Sequence, residues 1–541
     1  MFIFAHYCNG IKFEATLAER EKKKNKAISI LLAFAMVVSL AGCTEQKEET
    51  GNDGVQIMLS DEGVTVDGAP VTGEETAAVY TANDIVFYLA GQGFTYGEGS
   101  EADEHTQAEA DAHTVVHITQ PGTYRLSGRL SAGQIAVDLG ENAKEDTSAV
   151  VTLILDGADI TCTVAPAIIF YRVYECGSAD TETASETVDT SRAGANVVLA
   201  DGSENTLNGS YVARIYKSYT LSEDGTEVVD NKKLHKYDGA LYSRMSMNVG
   251  AEKDGSGVLN INAENEGLDS ELHLTVNGGN INIVSGNDGI NTNEDGVSVT
   301  TINGGTLNIR IAGTTGEGDG IDSNGWLVIN GGTVISSACA DSGDAGIDSD
   351  CGIYLNGGTV IAGGNMLDAI AGGSQNYAVF RFAEKQPGGE TYTLKNADGE
   401  EVISLPAVNA FQYLIVSSPE LSEGDYTLWN GDKQLVHGGA GSMDGRGAGG
   451  GMPRDFDGER PELRSGEQLP EPPEDGELPG QPERERPMLP DGERPEAPDG
   501  ERPELPRNGS FPGGADGAEE KSEIFTLAAG GNLFANVAQK E

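Results

Sequence analysis

The turn sequence Asn-Gly-Gly recurs four times in the middle of the chain, and this repeat restricts the possible folds more than any other feature. The copies begin at Asn277, Asn303, Asn330 and Asn356, at spacings of 26, 27 and 26 residues. Each copy lies between two short segments in which apolar and polar residues alternate, as they do in β-strands. Glycine adopts the positive φ angle of a sharp corner at no steric cost. A period of this length is typical of stacked coils.

A second string, Gly-Ile-Asp-Ser or a close variant, recurs in the same phase. Its copies begin at Gly267, Gly289, Gly320 and Gly346, with a looser copy at 238–243 and a truncated one at 368–370. Each period therefore contains three short strands and three turns, and we predict an all-β chain that folds as a parallel β-helix. An antiparallel sandwich also has alternating strands, but it would not repeat one turn in one phase four times.

Changes in composition divide the chain into six segments. Proline at the density seen after residue 438 blocks both helices and sheet ladders, so we expect that stretch to be disordered. The apolar residues at 524–527 and 533–537 form either a strand that returns to the cap or a tail. We predict a signal peptide with a lipobox at 1–43, a tether at 44–75, the β-helix at 76–375, a small C-terminal β cap at 376–438, a Pro/Gly-rich disordered segment at 439–520 and a final strand or tail at 521–541.

The N-terminal segment has the order of an export signal. A lysine-rich cluster at 22–26 precedes an apolar run at 27–38, and the run ends in Leu-Ala-Gly followed by Cys43. This ending resembles a bacterial lipobox, in which the cysteine carries the lipid. We therefore predict lipid attachment at Cys43 and an extracellular protein anchored to the outer face of the cytoplasmic membrane. The alternative is an ordinary signal followed by a chance cysteine.

The charge balance limits the possible partners. The chain has 86 Asp and Glu residues against 35 Lys and Arg residues, for a net charge of −51. Such a surface repels nucleic acid and anionic lipid and attracts multivalent cations. We therefore expect no nucleic-acid partner and contact with the membrane through the lipid anchor alone.

The cysteines that follow Cys43 are too few for a disulfide framework. They are Cys162, Cys176, Cys339 and Cys351. Cys339 and Cys351 can pair, but we favour burial of all four as small apolar side chains.

The repeated acidic residues suggest a metal site. Stacked coils lie roughly 4.8 Å apart, so like side chains form a column on one outer face, and neighbouring carboxylates repel by about 3 kcal/mol. Between Lys253 and Arg381 the only basic residue is Arg310. Calcium fits best because it takes six to eight oxygen ligands in irregular loops; the alternative is a solvated acidic face. The candidate ligands are Asp238, Asp269, Asp288, Asn291, Asp319, Asp322, Asp344, Asp348 and Asp368.

Residues 114–439 contain strings that together resemble one known family. The strings lie at 123–128, 134–138, 153–161 and 238–243 and in the two repeats described above. The chain is similar to bacterial extracellular carbohydrate-binding domain proteins, first recognised in cellulose-degrading clostridia. The resemblance implies a right-handed parallel β-helix, bound calcium, and binding of cellulose and of acidic sugars such as polygalacturonate.

The chain departs from the pattern of this family in three places, which puts individual ligands in doubt. Asn291 replaces Asp, Ala345 separates Asp344 from Gly346, and residues 293–296 lengthen one corner.

We predict calcium-dependent, non-catalytic binding of acidic or plant cell-wall polysaccharide at the cell surface. A calcium ion held by one or two Asp residues still accepts a uronate carboxylate, which overcomes the repulsion between two polyanions. A lyase needs a Lys or Arg base beside calcium. The only His, Lys or Arg residues in 262–373 are His273 and Arg310. The alternatives are a structural surface protein or adhesin, and a pectin-degrading enzyme. No sugar-binding residues are assigned, although Trp326 and Tyr354 are candidates on the repeat.

Overall fold

The computed structural model describes residues 54–222, 224–233, 237–313, 316–443 and 521–540. The regular secondary structure of these ranges is almost entirely β-strand, with a helix α1 (Gln107–Asp111) and a 3-10 turn (Ala143–Glu145). A capping box at Thr106 and Glu109 begins α1. No helix within these ranges has the length and hydropathy to cross a bilayer. Cys43, the predicted signal peptide, residues 44–53 of the tether and residues 444–520 of the Pro/Gly-rich segment lie outside the described residues.

The first thirteen strands precede the regular repeat. They are β1 (Val55–Leu59), β2 (Thr65–Val66), β3 (Ala69–Pro70), β4 (Val79–Ala82), β5 (Thr114–Ile118), β6 (Gly122–Leu130), β7 (Gly133–Asp138), β8 (Val151–Thr161), β9 (Ile168–Arg172), β10 (Ala195–Leu199), β11 (Glu204–Gly209), β12 (Tyr216–Leu221) and β13 (Val228–Lys233). β12 and β13 form a separate two-stranded antiparallel ribbon. This ribbon occupies most of residues 216–236, which depart from the repeat pattern in the sequence.

The regular repeat supplies the next fourteen strands. They are β14 (Gly239–Ser243), β15 (Met247–Ala251), β16 (Val258–Ala263), β17 (Glu266–Ser270), β18 (His273–Val276), β19 (Asn280–Ser285), β20 (Ile290–Thr292), β21 (Val299–Ile302), β22 (Thr306–Ile311), β23 (Trp326–Ile329), β24 (Thr333–Ser337), β25 (Gly352–Leu355), β26 (Thr359–Gly364) and β27 (Ile370–Gly372). Strands one period apart pair in parallel. Ile281, Leu307, Val334 and Val360 are aligned across four strands, and all four are fully buried.

The remaining strands form an antiparallel-rich C-terminal region. They are β28 (Tyr377–Gln386), β29 (Glu390–Asn396), β30 (Glu401–Ala407), β31 (Phe411–Ser417), β32 (Gly424–Asn430), β33 (Lys433–Val436), β34 (Gly439–Ser442), β35 (Phe525–Leu527) and β36 (Gly531–Gln539). The returning segment predicted at 533–537 lies within β36, which pairs in parallel with β28. A second core of buried aromatic and aliphatic side chains fills this region.

The all-β class is confirmed, but the prediction of a right-handed parallel β-helix with a small β cap is wrong. The strands on both sides of the Asn-Gly-Gly turns belong to one mixed sheet of 27 strands, and the described residues form no closed or solenoid sheet. The C-terminal strands are part of the same sheet, because β31 pairs antiparallel with both β26 and β28. The other large sheet has seven strands, in the order β20, β17, β14, β9, β7, β5 and β4.

In the two copies that follow β20, the third segment of the period forms no strand. The next copy contributes only an isolated bridge between Ile290 and Ile321. Side-chain carboxylates also bind backbone N–H groups in this segment. Oδ1 of Asp288 accepts from the backbone N–H of Asp319 (2.7 Å), and Oδ1 of Asp319 accepts from that of Ala345 (2.5 Å). Backbone bonds such as that from Asp322 N–H to Ile290 O (2.8 Å) keep the copies stacked.

The Asn-Gly-Gly corners are joined by a ladder of side-chain amides, which we call the asparagine ladder. Nδ2 of Asn303 donates to Oδ1 of Asn277 (3.0 Å), and the same bond joins Asn330 to Asn303 (3.0 Å) and Asn356 to Asn330 (2.9 Å). The second glycine of each corner has a φ angle of +94°, +90°, +81° or +77° in chain order. Each amide both donates and accepts, so the inner members of the ladder satisfy one another.

The cysteines follow the burial prediction in part. Cys162 and Cys339 are buried, Cys176 is partly buried, and Cys351 is exposed. All four sulfurs are free, so no bond joins Cys339 to Cys351.

Candidate functional site

The acidic residues of the second repeat occupy two neighbouring stacks. In the first stack, Glu266, Asp288, Asp319 and Ala345 take equivalent places. Backbone bonds from Gly267 N–H to Asp288 O (3.1 Å) and from Gly289 N–H to Asp319 O (3.1 Å) fix this alignment. Gly320 N–H likewise donates to Ala345 O (3.0 Å). The alanine therefore takes the place of an acidic residue, as the irregular spacing in the sequence suggested.

The second stack contains Asp269, Asn291, Asp322 and Asp348. Asp269 and Asn291 are direct partners in the parallel pairing of β17 and β20. Backbone bonds from Asp322 N–H to Ile290 O (2.8 Å) and from Asp348 N–H to Ile321 O (2.7 Å) continue the alignment. The structure thus brings together the repeated acidic positions that the sequence placed in one column. We call the two stacks together the acidic corner.

The acidic corner is less exposed than the outer face on which the sequence placed it. Asp269 is fully buried, and Asn291 and Asp288 are 4% and 8% exposed. The inserted corner residues cover part of the stack, since Nδ2 of Asn293 donates to Oδ1 of Asp269 (2.5 Å). Nδ2 of Asn324 in turn donates to the carbonyl oxygen of Asn293 (3.0 Å). A freely solvated acidic face does not describe this arrangement.

Burial and mutual repulsion shift the acidity of this corner. Burial, followed by the neighbouring carboxylates of Glu266, Asp322 and Asp319, raises the pKa of Asp288 well above its usual value. Burial and the carboxylate of Asp348 raise the pKa of Asp319 to about 8. Burial and the carboxylate of Asp368 raise the pKa of Asp348 to about 7. The folded chain therefore holds these carboxylates where their charged form is unfavourable.

Several oxygen atoms in the acidic corner are available to a ligand. Oδ1 of Asn291 and Oδ1 of Asp348 are buried and accept no hydrogen bond from the described residues. Asp288, Asp319 and Asp348 form no ion pair with a basic side chain in the described ranges. A set of carboxylate and amide oxygens without histidine or thiol is the donor set that calcium prefers.

The three remaining predicted ligands lie at the margins of the acidic corner. Asp344 is one residue before the stacked position, and its Oδ2 accepts from the backbone N–H of Gly318 (2.6 Å). Asp238 also precedes the stacked position, which Gly239 occupies opposite Glu266. Oδ2 of Asp368 accepts from the backbone N–H of Ser349 (3.1 Å). No group of three or more His, Cys, Asp or Glu side chains is preassembled as a metal site in the described part of the chain.

An open cleft of about 540 Å³ lies over one part of the acidic corner. This volume is within the range of ligand-binding clefts, roughly 300–1,000 Å³. Its acidic and amide wall includes Glu266, Asp288, Asn291, Asp295 and Asp322. Arg214, which lies two residues before β12, and Lys233, the last residue of β13, line the same cleft at the base of the β12–β13 ribbon.

The sequence prediction missed three residues of this site. Glu266 is 1% exposed and aligns with Asp288, so comparing the residue before each Gly of the second repeat would have found it. Arg214 and Lys233 had no comparable signal. They lie outside the regular repeat, and only the folded chain brings them to the cleft.

The other residues considered from the sequence have different surroundings. His273 is 4% exposed, its Nδ1 accepts from the backbone N–H of Val299 (3.1 Å), and burial lowers its pKa to about 4. It is therefore a packed histidine. Trp326 and Tyr354 are partly exposed on β23 and β25 and do not line the cleft.

Comparisons with known proteins address the nature of the ligand. A curated carbohydrate-binding domain-containing protein from Acetivibrio thermocellus is 28% identical over 169 residues, which are 31% of this chain and 44% of that protein. A solved polysaccharide lyase-like protein from C. thermocellum, studied as a gadolinium derivative, matches with 21% identity and a TM-score of 0.33, over 57% of this chain and 89% of that chain. The family model described as carbohydrate-binding domain-containing protein matches residues 112–442. The chain therefore belongs to the carbohydrate-binding domain-containing protein family.

Proposed function

We propose that this protein binds acidic plant cell-wall polysaccharide of the polygalacturonate type through calcium, and that it does not cleave the chain. Family membership supports a carbohydrate ligand. One observation carries the calcium part of the proposal. The acidic corner contains buried oxygens of Asn291 and Asp348 that accept no hydrogen bond from the described residues, beside carboxylates with raised pKa values.

A divalent cation would remove the electrostatic cost of the acidic corner. The residues that would hold it are Asp288, Asp319 and Asp348, with Oδ1 of Asn291 as a neutral ligand. Backbone carbonyls of the glycine-rich corners and water can complete a calcium shell of six to eight oxygens. Magnesium demands stricter octahedral geometry, and softer metals prefer nitrogen or sulfur ligands.

Calcium also explains how so acidic a protein can bind an acidic sugar. A net charge of −51 repels a polyanion in solution. A cation whose coordination shell is incomplete can accept a uronate carboxylate as a further ligand. Cellulose lacks a carboxylate, so we expect it to bind more weakly and with less dependence on calcium. The lipobox at Cys43 supports a location at the bacterial cell surface.

The test is retention of the protein on insoluble polygalacturonate in calcium or in EDTA. We expect retention in calcium, and at least about a tenfold weaker affinity in EDTA, because the bridging charge is lost. Asp288→Asn should weaken retention in calcium. Asp398→Asn, the same substitution in an exposed turn of the C-terminal region, should not. Equal retention in calcium and EDTA would refute the calcium bridge.

One observation favours a second candidate, polysaccharide β-elimination. Arg214 and Lys233 line the cleft, and a lyase requires a basic residue beside its acidic substrate. Lys233 already forms an ion pair with Glu98, which occupies its side-chain nitrogen. We therefore favour binding without cleavage. Unsaturated products, detected by ultraviolet absorbance after incubation with polygalacturonate and calcium, would establish the lyase instead.

A further inference from the structure

We propose that Arg214 and Lys233 form a carboxylate-recognising wall, and that a uronate chain binds between this wall and the acidic corner. This inference rests on the proposed function and assigns its sugar-binding site. The two basic residues and the acidic wall line one cleft. A bound uronate would thus meet the guanidinium and the ammonium, and also Asp288 and Asn291, the two proposed metal-binding residues that line the cleft.

Backbone contacts fix the base of the β12–β13 ribbon, which positions the two basic residues. An antiparallel bridge joins Val212 to Tyr237, and another joins Gly97 to Ile215. The carbonyl oxygen of Arg214 itself accepts from the backbone N–H of Glu98 (2.8 Å). The backbone that carries Arg214 is therefore held beside the cleft before any ligand arrives.

Side-chain contacts leave the guanidinium of Arg214 available. It is partly exposed and forms no ion pair with any described residue. A guanidinium presents paired donors that match a carboxylate, and an ammonium adds a point charge. The ion pair between Lys233 and Glu98 orients the lysine along the same wall.

Basic side chains lie together at the base of the ribbon, whereas its acidic residues Asp224, Glu227 and Asp230 lie farther along it. Lys217 and Lys232 are exposed on its two strands, close in sequence to Arg214 and Lys233. A local basic surface on a chain of net charge −51 can attract a polyanion to one place. Lys232 is the residue next to Lys233, and it is exposed but does not line the cleft. Lys232 is therefore a matched control.

The test is the affinity for a soluble oligogalacturonate in excess calcium. Arg214→Gln and Lys233→Gln should each weaken binding about threefold to tenfold, as expected for partly exposed charge contacts. Lys232→Gln, with the same change in net charge, should weaken binding less than about twofold. Lys233→Arg keeps the charge and should bind close to the wild type. Calcium binding, titrated without sugar, should be unchanged in all four variants, which also shows that the acidic corner is intact.

Three results would overturn the inference. If Lys232→Gln weakens binding as much as Lys233→Gln, net charge and not the cleft wall governs affinity. If Arg214→Gln and Lys233→Gln bind like the wild type while the wild type still needs calcium, the inference fails and the proposed function stands. If the wild type binds no oligogalacturonate in calcium, the proposed function fails as well.

Discussion

The asparagine ladder and the acidic corner are built by the same repeat, yet the side chains of the ladder bind one another and those of the acidic corner repel one another. Three side-chain hydrogen bonds of 2.9–3.0 Å join Asn277, Asn303, Asn330 and Asn356 in chain order. In the acidic corner, the carboxylates of Asp288 and Asp319 accept from backbone N–H groups, and the carboxylate of Asp319 helps to raise the pKa of Asp288. Stacked amides therefore satisfy one another's hydrogen bonds, whereas stacked carboxylates need a cation or a proton to reduce their repulsion. The carboxylate stack is where a cation and a ligand can act.

The largest expected effect is the loss of stability on removing calcium. A ligand present at 100 times its Kd stabilises the folded state by about 2.7 kcal/mol. We therefore expect EDTA to lower the Tm and added calcium to restore it, as measured by circular dichroism. Magnesium serves as the control and should restore less. A Tm that changes with neither calcium nor EDTA would contradict the proposed difference between the acidic corner and the asparagine ladder.

The pH dependence of the metal-free protein should be of comparable size. The folded-state pKa values of Asp319 and Asp348, about 8 and about 7, exceed their ordinary value of 3.8. The folded state therefore binds more protons than the unfolded state between these values, and its stability rises as the pH falls. From about pH 9 to about pH 5 these shifts correspond to at most about 7 kcal/mol, and because Asp319 and Asp348 are partly exposed we expect a gain of roughly 2–3 kcal/mol. Urea unfolding in EDTA measures this gain.

Saturating calcium should reduce this pH dependence, since the bound ion favours the ionised carboxylates. A metal-free protein whose stability decreases as the pH is lowered from about 9 to about 5 would contradict the assigned pKa shifts.

Replacing carboxylates by amides should make the acidic corner more like the asparagine ladder. In EDTA at about pH 9, where Asp319 is ionised in the wild type, the double variant Asp288→Asn with Asp319→Asn should be about 1–2 kcal/mol more stable than the wild type, because it loses buried like-charge repulsion. It should also lose most of the calcium response of the Tm. The single variant Asp398→Asn is the exposed control. An undiminished calcium response in the double variant would place the ion elsewhere.

The smallest expected effect concerns the asparagine ladder. Asn330→Ala removes two ladder bonds, one to Asn303 and one to Asn356. We expect a loss of about 1 kcal/mol, because the ladder is exposed and water can replace part of each bond. The loss should be equal in calcium and in EDTA, as urea unfolding can show. A loss that depends on calcium would mean that the asparagine ladder and the acidic corner are energetically coupled.

The sequence predicted local features of the repeat better than the sheets that they form. The period of the Asn-Gly-Gly turns predicted the strands on either side, because strand alternation and glycine corners are local properties. The same period suggested a third strand near Ile321, where the structure has an isolated bridge between Ile290 and Ile321 and a bond from the backbone N–H of Asp319 to the carboxylate of Asp288. The joining of the C-terminal strands to the large sheet through β31 had no repeat to announce it.

The site shows the same division. Recurrence of Asp in one phase predicted that Asp269, Asn291, Asp322 and Asp348 align, and their backbone pairing places them so. Burial of Asp269 and the part of Arg214 and Lys233 in the cleft depend on contacts made by segments outside the repeat, which periodicity cannot reveal.

Calorimetric titration of calcium into the metal-free protein tests most directly whether the carboxylate stack requires a cation that the amide stack does not. We predict saturable binding to the wild type, the same binding to Asn330→Ala, and little or none to the double variant Asp288→Asn with Asp319→Asn. Absence of binding to the wild type, or equal binding to all three proteins, would contradict the account.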